Sequence, residues 1–355
     1  MNSCTLIAVR AAVLTSSVGA ALIVVSVPLV IDRADVAVAQ EPTRPSFTEW
    51  LSGVRSEALE RGISEDVVRE ALDSLDEPLP VVLERDRSQV ETILPLETYI
   101  ARRLTRSAVA SGREMYARHR TLLEQIAGHY GVPASIIVAV WGVESNFGRF
   151  NGVRPTIAAL ATLAWEPRRS TFFRRELFDA LEILNRGDIE LAHMKGSWAG
   201  AMGQPQFMPS SYLTFAEDYD GDGRRDIWNT PADVFASIAN YLRGHGWTAG
   251  ERWGREVKMS AEVLRTIDAD VPRGSGTCQA RRDMSTSLPL REWDRLGVRS
   301  SNGRRLPRAD IDAALVSGST RHFLVYSNYA PLLAYNCAHA YAVSVALFAD
   351  QLARP

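Results

Sequence analysis

The sequence predicts a mainly α protein of the α+β class, and three observations predict it. Apolar residues recur at helical spacing across most of the stretch from Phe47 to Arg120, from Pro133 to Gly148 and from Thr171 to Asn185. One mixed stretch, Trp253 to Asn302, holds short runs such as Arg255-Glu256-Val257-Lys258-Met259 that read as strands. The composition, 46% hydrophobic and 23% charged over 355 residues, is that of a globular chain long enough for two or three cores.

The elements follow in order. After Arg10 an uncharged stretch runs from Ala11 to Ile31, and Ala37-Val38-Ala39-Gln40 then offers the small residues of a signal cleavage site. Residues 1–39 read as a signal peptide or, because the apolar run is long enough to span a bilayer, as an uncleaved N-terminal anchor. Either outcome exports the rest of the chain to the periplasm or cell envelope, with membrane contact only through that segment. Cys4 precedes the apolar run, which is the wrong side for a lipid-modified cysteine. Its loss with the leader leaves Cys278 and Cys337 as an even pair in an oxidising compartment, either disulfide-bonded or buried as two thiols.

Phe47-Thr48-Glu49-Trp50-Leu51 opens one amphipathic helix, Ser64 to Leu72 forms a second and Thr98 to His119 a third, with Pro78, Pro80 and Pro95 punctuating the interval. Leu122 to Tyr130 is a further helix ending at Gly131. Thr171 to Asn185 places Phe172, Phe173, Leu177, Leu181 and Leu184 on one stripe. Thr230 to Arg243 is a helix ended by Gly244, and Ala313 to Ala353 returns to strand-like and helical apolar patterns. The net charge is −2, and the 40 basic residues are scattered in small pairs such as Arg168-Arg169, so no nucleic acid is expected as partner.

Between Pro133, suited to a helix start, and Gly148, suited to its stop, Glu144 is the only ionisable side chain. A helix apolar nearly all round is buried, and burial raises a carboxyl pKa toward the range a general acid needs. The competing reading is a residue that merely caps or pairs at the helix end. Lys195 to Tyr212, with three glycines and two prolines, reads as a tight ordered loop that a ligand can approach closely.

Asp218-Tyr219-Asp220-Gly221-Asp222-Gly223-Arg224-Arg225-Asp226-Ile227-Trp228-Asn229 places carboxylates at positions one, three, five and nine, glycine at six and an apolar residue at ten. This is the start of a calcium loop of the EF-hand kind, with Arg224 offering its carbonyl. Asn229 stands where a bidentate Glu is expected, and Asp233 is the next carboxylate able to close the site. An acidic turn without metal is the alternative.

With these residues in hand, the chain resembles the lytic murein transglycosylase B family, glycoside hydrolase family 103. The blocks that carry the resemblance are Ala139 to Gly148, Lys195 to Gly203 with Gln206 to Ser211, Asp220 to Gly223 with Asp226-Ile227-Trp228, and Ala239 to Leu242. Asn328, Tyr335-Asn336 and Tyr341 give a weaker echo. The resemblance implies a lysozyme-like helical core with an accessory helical domain and a small sheet-containing insertion. On that basis the expected domains are 44–115, accessory and helical; 116–256, the core with its calcium loop; 257–320, a small α+β insertion; and 321–355, a return to the core.

The resemblance also implies the reaction: non-hydrolytic cleavage of the MurNAc-β-1,4-GlcNAc bond of peptidoglycan, leaving 1,6-anhydromuramic ends. Ordinary glycoside hydrolysis generally uses two carboxyl groups. Glu166 and Glu176, the next two acids after Glu144 in sequence, read as surface positions. Glu144 alone would serve as acid and then as base, with the 2-acetamido group expected to stabilise charge at C1. Ser197, Gln206, Phe207 and Tyr241 match the family's cleft residues, and Tyr99, Asn328 and Tyr335 match more weakly. Each of these could instead be a core residue. The metal set is Asp218, Asp220, Asp222, Arg224, Asp226 and Asp233 around a structural Ca2+, with no catalytic cofactor. Expected partners are glycan strands and, as an open question, cell-wall synthesis proteins. Competing functions are a hydrolytic muramidase on the same scaffold and a calcium-stabilised, non-catalytic peptidoglycan-binding protein.

Overall fold

The computed structural model describes residues 44–88 and 94–353. The expected signal peptide or anchor, with Cys4, lies outside the described residues. Residues from Pro45 onward form one compact unit.

In chain order, α1 (Phe47–Glu60), α2 (Glu65–Leu72) and α3 (Pro80–Ser88) precede α4 (Leu96–Arg103), α5 (Arg106–Arg118), α6 (Arg120–Tyr130) and α7 (Ala134–Ser145). Next come β1 (Arg154–Pro155), α8 (Thr156–Trp165), α9 (Ser170–Asn185), β2 (Lys195–Gly196), α10 (Pro209–Phe215) and α11 (Pro231–Gly244). The last part holds β3 (Gly254–Lys258), α12 (Ala261–Asp270), α13 (Gln279–Asp283), β4 (Leu288–Pro289), α14 (Leu290–Arg295), β5 (Arg299–Ser300), β6 (Asp312–Ser317) and β7 (His322–Val325). Two helices, α15 (Tyr329–Tyr335) and α16 (His339–Leu352), end the chain. The mainly α class with a small antiparallel sheet is what the periodicities predict.

Local chemistry sets several boundaries. Ser46 and Glu49 close a capping box on α1, and the Ser64 hydroxyl accepts from Val67 N at the start of α2. The single helix expected from Thr98 to His119 is two, because Leu104 leaves helical geometry and the Thr105 hydroxyl caps Ala108 N to start α5. α11 runs through Gly244, and the turn falls instead at Gly246, whose φ is 94°. Phe172 departs from its expected stripe: it is 42% exposed, beneath the Arg175 guanidinium, while Phe173 is buried. α8 is not among the expected elements; Thr156 to Ala164 is wholly buried, so no polar face marks it in the sequence.

α7 is the central helix, packed by α16, α5, α11 and α6. The first helices lean on the core through ions as well as apolar contact: buried Asp86 on α3 receives both Arg168 and Arg169, and Arg174 pairs with Glu57. The larger sheet runs β4-β6-β7-β3-β5, all pairs antiparallel. Its period of two sorts side chains into separate cores. Ala314, Val316, Phe323 and Val325 join the main helical core, whereas Ala313, Leu315, Leu324 and Val257 join a second one around fully buried Trp293. The sheet extends from Gly254 to Val325, beyond both edges of the expected 257–320 insertion. Cys278 and Cys337 are disulfide-bonded, with Cα atoms 5.8 Å apart, and join the start of α13 to the α15–α16 junction.

Candidate active site

Glu144 sits in the last turn of α7, the helix whose residues Ile136 to Trp141 are all buried. α7 stops at Ser145, three residues before the expected glycine, because Asn146 (φ 50°), Phe147 (φ 60°) and Gly148 (φ 78°) are successively left-handed. Two of these are not glycine, a strained arrangement held by its surroundings. The Ser145 hydroxyl accepts from Gly148 N and donates to Trp141 O. A Cβ on Gly148 would lie 2.5 Å from Gln204 Oε1, and one on Gly142 would lie 2.7 Å from the Phe147 ring.

Gln204 is the residue that fixes this corner, and it is not among the expected site residues. It is buried; its Oε1 accepts from Trp141 Nε1 at 2.7 Å, and its Nε2 donates to Trp228 O at 2.8 Å. One amide thereby locks the end of α7 to the 195–208 loop and to the acidic loop. Such a hub leaves no periodic signal, since only the fold brings its partners together.

The Glu144 carboxyl is half-buried and faces a cavity of about 280 Å³, also lined by Arg102, Arg103, Thr105, Phe147 and Phe150. Burial pushes its pKa up to about 7, while Tyr341 and the charge of Arg103 pull the other way. The Tyr341 hydroxyl is buried with no hydrogen bond of ordinary length among the described residues, and as a donor beside the carboxyl it favours the ionised form. Among the described residues, no other carboxylate lines that cavity. Glu176 is not the surface residue expected: it is fully buried, accepting from Ser210 N and Oγ at 2.9 and 2.8 Å, and so holds the start of α10. Glu166 is half-buried.

The 195–208 loop is ordered by bridges from Met202 to Gly196 and Phe207. Ser197 Oγ accepts from Ala199 N and Ala201 N, which leaves its hydrogen to give. Gln206, itself at φ 54°, donates Nε2 to Gly203 O and keeps Oε1 for an incoming donor. Phe207 is 2% exposed, packed against Tyr241 and Tyr335 with ring centroids at 5.4 and 5.9 Å. It backs the aromatic group instead of offering a sugar-stacking face. Tyr241 is also buried, its hydroxyl donating to Ala334 O, whereas Tyr335 is half-buried and donates to Pro205 O. Tyr99 is half-buried on α4 beneath the Arg103 guanidinium. Asn328 departs from its expected binding role: it is fully buried and its amide is spent on Thr248 N, Thr248 O and Glu251 O, pinning a turn.

In the acidic loop the carboxylates of Asp218, Asp220 and Asp222 each place an oxygen within 4.8 Å of the others. Three hard anionic donors so close suit a divalent cation such as calcium. Asp226 and Asp233 stand apart from that cluster. Asp226 accepts from Trp228 N and Asn229 N; fully buried Asp233 accepts from Tyr219 N and Asp226 N, and so closes the loop through backbone.

The transglycosylase SLT domain model matches residues 46–350. The membrane-bound lytic murein transglycosylase B of Escherichia coli K12 is 40% identical over 150 residues, 42% of this chain and 41% of that one. The match thus spans about two-fifths of that curated relative. SltB3 of Pseudomonas aeruginosa, solved with NAG-anhNAM-pentapeptide, has a TM-score of 0.78 at 39% identity, covering 86% of this chain and 79% of that one. Escherichia coli Slt35, solved in complex with calcium, has a TM-score of 0.71 at 27% identity over 88% of this chain and 93% of its own.

Proposed function

The chain belongs to the transglycosylase SLT domain family, and we propose that it is a peptidoglycan lytic transglycosylase whose acid and base are one residue, Glu144. The observation that carries this reading is a single half-buried carboxyl, its pKa raised to about 7, on a cavity lined by no other carboxylate among the described residues. Protonated Glu144 gives its hydrogen to the glycosidic oxygen as the C1–O4 bond breaks, and the GlcNAc side leaves with a free 4-hydroxyl. The carboxylate then takes the hydrogen of the muramic C6 hydroxyl while O6 bonds to C1. Glu144 ends as it began, no water is consumed, and the product is a 1,6-anhydro ring. The internal nucleophile is supplied by proximity.

Ser197 O–H and Gln206 Oε1 are the groups left free to hold sugar oxygens and an acetamido N–H, and Tyr335 is the aromatic with accessible surface. Phe207 and Tyr241 support it from beneath. Asp218, Asp220 and Asp222 hold a calcium ion that neutralises their mutual repulsion and orders the loop, a structural role that leaves proton transfer to Glu144. Residues 1–39 export the chain to the envelope, where peptide-bearing wall strands are its substrate; the named relatives support this, one membrane-bound and one solved with a peptide-bearing muramyl fragment.

Mass spectrometry of muropeptides released from purified peptidoglycan tests the reaction. The expected products carry anhydromuramic ends; products with reducing ends alone would replace this reading with hydrolysis.

A further inference from the structure

A cavity of about 670 Å³ lies away from Glu144, between the sheet, α13 and α15. That is the size of a small-ligand site, too small for a folded partner. Its floor is apolar: Ala314 and Val325, paired across β6 and β7, with Ile311, Met284, Ala330 and Leu333.

The rim is charged with both signs. Arg252 from the loop before β3, Arg255 from β3 and Arg281 from α13 converge on it. Arg255 donates to the Tyr326 hydroxyl, and Arg252 reaches Asp350 only at 3.8 Å. Arg281 has no ion pair or side-chain hydrogen bond among the described residues. Glu251, Asp310 and Asp312 line the same space, yet none forms an ion pair with those arginines among the described residues. Glu251 accepts only from the Ser327 hydroxyl. Opposite charges that share a cavity without pairing leave room for a ligand bearing both.

The walls are fixed in place. Arg281 and Met284 stand on the stretch that begins at Cys278; Tyr329, Ala330 and Leu333 stand on α15, just before Cys337. The disulfide therefore clamps the two walls together. α15 lies between this cavity and the aromatic group beside Glu144: Leu333 lines the cavity, and Tyr335, two residues on, packs against Tyr241 with ring centroids 4.6 Å apart and planes tilted by 56°. A five-residue peptide extends about 17 Å, longer than the roughly 10 Å of α15.

We propose that this cavity binds the stem peptide of a wall strand held in the cleft, its carboxylates on the arginines, its amine on the acidic side and its alanine methyls on the apolar floor. The proposal rests on the transglycosylase reading for its link to glycan, and the test separates the two.

Calorimetry with a synthetic, sugar-free stem pentapeptide tests the cavity directly on the whole exported protein. Wild type is expected to bind it, and Arg281→Ala, an exposed and unpaired position, to bind it about tenfold more weakly or worse. Asp310→Asn, on the opposite rim, is expected to weaken it as well. In cleavage assays, Arg281→Ala should raise KM on peptide-bearing strands with kcat unchanged, and leave both constants unchanged on strands stripped of peptide. No binding by wild type, or equal binding by both variants, would overturn the proposal. Peptide binding lost in the variants of a protein that cleaves neither strand would sustain the site and sink only the transglycosylase reading.

Discussion

At the scale of single residues, Glu144 carries two linked expectations. Glu144→Gln keeps the shape but neither gives nor takes a proton, so turnover should fall by about 10²-fold or more while glycan binding persists. Release of anhydromuropeptides within tenfold of wild type would remove Glu144 from the chemistry. The same burial sets a pH dependence. The folded pKa of about 7 exceeds the ordinary 4.5, so between these values the folded protein keeps a proton that the unfolded chain gives up. The associated stability is present below pH 4.5 and is lost as pH rises through about 7. Glu144→Gln should accordingly stabilise the fold more at pH 8 than at pH 5, by an amount on the order of 1–3 kcal/mol, read as a larger rise in melting temperature at the higher pH. Thermal scans showing the same gain at both pH values would remove burial as the cause. kcat/KM of the wild type should fall as pH climbs past about 7, as the acid form is lost.

Two elements position that residue. The left-handed corner after α7 admits only glycine at Gly148, since φ is 78° and a Cβ would strike Gln204 Oε1. Gly148→Ala should cost about 2–4 kcal/mol, from backbone strain together with displacement of the Trp141–Gln204–Trp228 bonds. A chemical-denaturation midpoint close to wild type would show that Gln204 can yield without loss. The acidic loop makes a second element-scale test. A ligand bound only by the folded state adds roughly 2.7 kcal/mol at a hundredfold excess over Kd, so chelation should lower the melting temperature, and Asp220→Ala with Asp222→Ala should reproduce the loss. Activity should persist at temperatures where the metal-free protein stays folded. A melting curve indifferent to chelation of a verified calcium-loaded sample would refute the loop's role.

Across the whole molecule, the Cys278–Cys337 bond closes a separation of 59 residues that contains most of the sheet. Constraint of the unfolded chain by a loop of that length is worth about 2–4 kcal/mol, so Cys278→Ser with Cys337→Ser should lower stability by that order. Equal melting of the double variant and wild type under non-reducing conditions would argue against it, as would free alkylation of both thiols in unreduced, denatured protein. The helices around Glu144, the glycine-rich loop and the acidic loop were legible in sequence because each is written in local chemistry: a run of apolar residues, a cluster of φ-permissive residues, carboxylates at alternate positions. The wholly buried α8 was not, because a helix covered on every side has no polar face to mark its period. Nor were the burial of Glu176, the three-way grip of Gln204 or the retreat of Phe207 and Asn328 from the cleft, for these depend on partners distant in the chain, such as Ser210 for Glu176 and Thr248 for Asn328. The sequence by itself determined the mainly α class, the lone acid and the oxygen-rich loop. Tertiary structure alone decided which side chains still have a free donor, acceptor or surface to offer a ligand, since a hydrogen-bonding group already satisfied by distant backbone is chemically spent, whatever motif it belongs to.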